Sequence, residues 1–272
     1  MRGFWNHFLI TLILNCRNVQ ALLFGYGVPV LFLVAFHIMF GTTSASLAQL
    51  LTISALGGAC FGMPIAMVAE RDRGVWRRYR LTPMGSGGFV LSTMLARWVL
   101  VCSSAVLQLA LSMAFYKTPF PPHPIELVIA FSCAAFAFIG IGLIITTLAN
   151  SIGSVQALGQ SLFLPMIMIG GVGIPVYILP PWARDVSLFL PGRYAVDSIY
   201  NTLIEGGIER ALFNLVALLV IGAAATAVGW KLFRWESSAR LAPHALWWIL
   251  LAVSVWVVIG VVVEVNHLAP SR

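Results

Sequence analysis

Seven long apolar stretches, at approximately 19–40, 47–69, 90–116, 125–149, 155–174, 210–230 and 244–264, divide the chain. At about 1.5 Å of rise per residue, each is long enough as a helix to cross roughly 30 Å of hydrocarbon. Inside a bilayer every backbone N–H and C=O must find its partner within the protein, so such segments are helices. The expected fold class is therefore all-α: a polytopic transmembrane helical bundle. Composition agrees, with 60% hydrophobic and only 9% charged residues, where soluble domains carry roughly 25% charged.

The net charge of +7 does not read as a nucleic-acid surface, because the basic residues sit at the ends of apolar runs. That is the pattern of topology signals and contacts with membrane lipids. With the N-terminus inside, eleven basic residues fall on the cytoplasmic side and five (Lys117, Arg184, Arg193, Arg210 and Arg272) on the other. A cytoplasmic N-terminus follows from the positive-inside rule. Cys16, Cys60, Cys102 and Cys133 form no C-x-x-C pair and read as small hydrophobes. The apolar run Phe8–Leu14 is short and lacks a small-x-small cleavage site, so it does not read as a signal peptide.

Residues 2–17 repeat apolar side chains at helical spacing, with His7, Thr11 and Asn15 on the other side. This predicts an amphipathic helix in the membrane interface, the other reading being the start of the first span.

Some chemistry is missing. A P-loop needs Gly-Lys-Ser/Thr, and neither Lys117 nor Lys231 follows a glycine. The histidines lack metal-ligand spacing, and no site for a metal or catalytic residue is expected. Ion-coupled carriers keep ionisable groups in the bilayer at about 2.5–3.5 kcal/mol each. Here only Arg97 lies well inside an apolar segment, and it is expected to snorkel to the cytoplasmic surface.

Two connections are too long to be simple turns: 70–88 on the cytoplasmic side and 175–209 outside. The first reads Glu70-Arg71-Asp72-Arg73-Gly74-Val75-Trp76-Arg77-Arg78-Tyr79-Arg80-Leu81-Thr82-Pro83. Val75, Trp76 and Tyr79 share one helical face, with Arg73, Arg77 and Arg80 on another, and Thr82–Pro83 ends the helix. Such a helix serves either as a lipid-binding patch or as a dock for a soluble partner, with Trp76 and Tyr79 as aromatic anchors.

Small residues crowd the second, fourth and sixth segments, which suits close helix packing. Gln108, Gln156 and Gln160 are buried-amide candidates, either for helix–helix hydrogen bonds or for a translocation path. In the external stretch Trp182, Phe189, Tyr194 and Tyr200 are expected at the outer interface, in two amphipathic pieces separated by Pro191–Gly192 that dip into the membrane over the exit.

The loop resembles the hallmark of the ABC-2 type exporter permeases. In that family the second span ends in Glu, a Gly follows, and Thr-Pro or Ser-Pro closes the element; here these are Glu70, Gly74 and Thr82–Pro83. The amphipathic residues 2–17 and the external run from Pro180 through Pro191, Arg193 and Tyr194 are similar to the family's, over roughly residues 1–235. The resemblance implies a division into 1–18 (interfacial helix), 19–235 (transmembrane domain) and 236–272, an additional C-terminal span that the usual six-span pattern lacks. It further implies a coupling role for Glu70, Arg73, Gly74, Trp76, Arg77, Tyr79, Arg80, Thr82 and Pro83 against a separate ATP-binding subunit. That subunit would hold ATP and Mg, with none on this chain. A second permease copy is implied, as is a lipid-linked, polysaccharide or amphiphilic drug-like substrate moved outward across a bacterial inner membrane. The rival reading is a membrane scaffold that recruits a soluble partner through the same loop. The final segment, 244–264, spans or lies in the interface.

Overall fold

A computed structural model describes residues 2–17, 22–41, 43–81, 84–204, 206–235 and 245–265. Among these, the regular elements are helices. An N-terminal helix α1 (Arg2–Arg17) is followed by a π turn (Leu23–Gly27) leading into α2 (Val28–Phe40). Next come α3 (Ser44–Gly57), a second π turn (Gly58–Gly62) and α4 (Met63–Asp72), which together form one continuous rod. A six-residue helix α5 (Val75–Arg80) separates this rod from the long α6 (Gly85–Tyr116). Then follow α7 (Pro124–Leu148), α8 (Ile152–Met168), a 3-10 turn (Val176–Ile178), α9 (Pro181–Ser187), α10 (Pro191–Leu203), α11 (Gly207–Lys231) and α12 (Ala245–Val265).

Five of these units are long and apolar enough to cross a membrane: Ser44–Asp72, α6, α7, α11 and α12. The apolar helices Gly25–Met39 and Ile152–Met168 are shorter. The fifth segment, expected to run to residue 174, stops at Met168 because Pro165 and the glycines beyond it turn the chain. Ile169 and Gly170 N–H both donate to the Pro165 carbonyl, and Gly171 is left-handed at φ +77°.

The core is built where α7 meets α11. The two run side by side in the same direction, Glu126 beside Gly207 and Leu143 beside Gly229. A methyl group at Gly140 would reach the Gly222 carbonyl at 2.9 Å, so only the bare backbone allows this approach. In lipid, such small-residue contacts replace the hydrophobic drive as the source of helix association. The outer faces stay apolar: on α12, Leu246, Trp247, Leu250 and Val265 are all more than half exposed.

The N-terminal helix inverts the expectation for a helix with a polar side. Its most buried side chain is His7, at 4% exposure, while Trp5, Leu9 and Ile13 are half exposed. The polar face is turned onto the protein and the apolar face away from it. When the surroundings are hydrocarbon, this is the orientation that pairs the polar groups. α6 explains how α1 finds room: at about 48 Å it exceeds roughly 30 Å of hydrocarbon. α1 lies along its first part, with Gly3 near Met84 and His7 against Ser92.

Candidate functional site

The chain reverses between α4 and α5 at Gly74, whose φ of +73° is left-handed. A Cβ there would be strained, so the turn requires glycine. α5 then presents Arg77, Arg78 and Arg80 as exposed side chains and turns Trp76 inward, 1% exposed. Trp76 stacks on Phe233 at 5.0 Å and meets Phe89 edge-on at 5.3 Å. Tyr79, His7 and Trp235 also lie within 5.5 Å of the Phe89 ring. The expectation of Trp76 as an anchor for a soluble partner is therefore corrected. Its indole is used up inside this chain, because Phe89, Phe233 and Trp235 offer it an aromatic pocket.

Two arginines assigned to topology also do structural work here. Arg71 donates to the carbonyls of Thr146 and Ala149, and Arg234 donates to that of Thr147 at 2.9 Å. Both satisfy the unpaired C-terminal carbonyls of α7 and lie at the negative end of its dipole. Burial and the nearby Glu70 carboxylate raise the Tyr79 phenol. Burial lowers His7 to about 4, so its imidazole is neutral where it meets the Ser92 hydroxyl at 2.7 Å. Thr82 and Pro83 lie outside the described residues.

Behind α5 opens a cavity of about 1120 Å³. Its walls come from α1, α2, the α3–α4 rod and α8, and its lining includes Glu70, Arg73, Tyr79 and Arg97. Gln156 and Gln160, both exposed, line the same space. Gln108 does not. It is 1% exposed and donates to Ser54 Oγ at 2.6 Å, a bond between α6 and α3. Arg97 does not snorkel: at 9% exposure it turns inward and donates from Nε to the Gly58 carbonyl at 2.8 Å.

At the opposite end, the 175–209 stretch folds as two helices, α9 and α10, separated at Pro191 as the sequence suggests. Pro181 and Pro191 each sit in a first turn, where the missing N–H costs nothing. Trp182 is 62% exposed. Tyr194 is not at the interface: it is 1% exposed, and its hydroxyl donates to the Leu188 carbonyl. Arg193, 5% exposed, donates to Ser187 Oγ and the Arg184 carbonyl and lies 3.7 Å from Asp197. These bonds satisfy carbonyls that a seven-residue helix leaves open.

Sequence reasoning missed Phe89, Phe233 and Trp235, which lie at the ends of long apolar runs and look like any other lipid-facing ring. The presence of Asn15 in the cavity wall was missed too, since it followed from which way α1 turned.

The helical rods, the short basic helix between them and the open cavity behind it define a multi-pass membrane protein. Residues 5–204 match the family described as ABC-2 type transporter, and the chain belongs to that family. α11 and α12 lie beyond the matched range, which ends before the residue 235 reached by the sequence resemblance. Among curated proteins the chain is similar to the probable multidrug ABC transporter permease YbhS of Escherichia coli (strain K12), 23% identical over 160 residues, covering 58% of this chain and 42% of that protein. It is 24% identical over 173 residues to the linearmycin resistance permease protein LnrN of Bacillus subtilis (strain 168), covering 62% and 44%. With YbhR of Escherichia coli (strain K12), also named a probable multidrug ABC transporter permease, identity is 23% over 173 residues, covering 62% and 46%. The chain thus spans less than half the length of these relatives.

Proposed function

We propose that this chain is the membrane-spanning permease of an ATP-driven exporter. A separate ATP-binding subunit, holding ATP and Mg, docks on α5, and a second permease copy completes the transporter. One observation carries this reading. The segment from Ala69 to Arg80 contributes the end wall of the cavity, through Glu70, Arg73, Val75 and Tyr79, and also the exposed Arg77, Arg78 and Arg80. A push on the basic surface therefore moves the cavity wall directly. Trp76 positions the helix from inside, and Gly74 supplies the reversal.

The cavity is lined mainly by apolar side chains, which suits an amphiphilic, drug-like substrate better than a long polysaccharide. The multidrug and linearmycin-resistance relatives favour the same class. The basic ends of the spans favour a cytoplasmic N-terminus in a bacterial inner membrane, with α12 as an added span after the 19–235 transmembrane domain.

The test is ATPase stimulation in liposomes carrying the chain with its cognate ATP-binding subunit. Gly74→Val, which strains the turn, and the charge reversal Arg77→Glu should each cut stimulation about tenfold or more, an energetic loss of the size of a charge-assisted contact. Insertion should be unaffected. Unchanged stimulation in both variants would remove the coupling role. Stable co-purification with no amphiphile-dependent ATPase activity would instead support a scaffold.

A further inference from the structure

Arg97 is a buried cation that meets no carboxylate among the described residues. It sits where two π turns, Leu23–Gly27 and Gly58–Gly62, lie against each other. Such turns are frequent at functional sites. The second one leaves the Gly58 carbonyl to accept from Met63 N–H and, at 2.8 Å, from Arg97 Nε. That bond anchors the guanidinium at Nε. The terminal nitrogens of the fork make no hydrogen bond to the described residues and lie against the bare backbone of Gly62, which lines the cavity together with Arg97. The bare backbone of Gly62 makes this possible, since a side chain there would occupy the space of the guanidinium.

The charge of the cavity points the same way. Its lining holds three arginines, Arg17, Arg73 and Arg97, against one carboxylate, Glu70, which lies beside Arg73. Much of the remaining wall is apolar, including Phe32, Ile53, Phe61, Ile65 and Phe163. An ionisable side chain kept inside the bilayer needs a partner, and a guanidinium fork matches an oxyanion with two parallel hydrogen bonds.

We propose that Arg97 is the anion-holding group of the cavity and selects amphiphiles with an oxyanion head, such as a phosphate, carboxylate or sulfonate. The tail lies along the aromatic and aliphatic wall. The assignment rests on reading this cavity as the substrate site, but binding can be measured without the ATP-binding subunit.

The test uses the full chain in phosphatidylcholine nanodiscs, with equilibrium dialysis of tritiated dodecyl phosphate and empty nanodiscs subtracted. Dodecyl phosphate should bind about tenfold or more tighter than dodecyltrimethylammonium, and Arg97→Gln should erase that preference, as expected for loss of a charge-assisted pair. Arg97→Lys should keep part of it, because the charge survives and the fork does not. Gln160→Glu, which leaves the anchor intact, should weaken dodecyl phosphate by adding a carboxylate to the same wall. Competition by phosphatidylglycerol would assign the site to a membrane lipid, and its absence to a single-chain amphiphile. Both outcomes keep Arg97 in its role. Equal competition by inorganic phosphate overturns the amphiphile assignment. Unchanged affinity in a monodisperse Arg97→Gln protein, together with unchanged affinity in Gln160→Glu, overturns the proposal. The coupling reading is judged separately, on ATPase stimulation in the Gly74 and Arg77 variants.

Discussion

At the α5 end of the bundle, α1, α5, α6 and the stretch after α11 converge on the ring of Phe89. At the α10 end, the closing contacts are hydrogen bonds from Arg184, Arg193 and Tyr194 to backbone carbonyls. Ring contacts are weakly directional and survive small rotations, whereas hydrogen bonds weaken steeply once misaligned. The α5 end thus combines a ring cluster that tolerates small rotations with the Arg71 and Arg234 bonds to the end of α7, while the α10 end is closed by hydrogen bonds that hold one geometry.

The largest break in this comparison should come from Phe89→Ala, which removes the shared ring of four segments. It should cost about 3–5 kcal/mol, read as a fall in the thermal unfolding midpoint in detergent. A midpoint unchanged from the parent protein would mean that Trp76 and Phe233 hold α5 without it. Next is Arg193→Leu, which deletes a charged donor to Ser187 and Arg184 and should cost about 2–3 kcal/mol. Arg193→Lys should recover only part of that, because a lysine cannot reproduce the fork. If leucine and arginine at 193 gave equally stable proteins, the polar end would not be a lock.

The smallest effect is acid. His7 has its folded value lowered to about 4 from 6.5 by burial, so the neutral imidazole is favoured in the packed state. The stability this confers is present above pH 6.5 and is lost as pH falls toward 4. Hydrogen-exchange protection factors in α1, taken relative to the intrinsic rate at each pH, should therefore fall on acidification while those in α10 hold. His7→Phe should abolish the pH dependence; persistence in that variant would show that another group is responsible.

How legible each region was in the sequence follows from its chemistry. The α5 loop stood out because charge is rare in this chain and a helical period inside a charged run is local information. The direction of Trp76 did not, since Phe233 and Trp235 lie more than 150 residues away and nothing local marks them as its partners. At the other end the prolines marked the boundaries of α9 and α10. The inward turn of Tyr194 stayed hidden because tyrosine is equally at home in a membrane interface and in a hydrogen-bonded core. Arg97 was visible as an anomaly but was assigned to the surface, because its acceptor is a carbonyl freed by a π turn that no residue type announces.

The sequence alone determined that a bilayer is the solvent, that the elements are helices, and that the external stretch breaks at Pro191. These follow from composition, segment length and single-residue backbone limits, which add up locally. Which face of each helix points inward was decided only by the tertiary structure. In water the apolar side of a helix announces the core; in hydrocarbon, lipid and protein are equally apolar, and the pattern no longer distinguishes them. Small-residue fit between α7 and α11, ring packing around Phe89 and the few polar groups turned onto the protein make that choice instead.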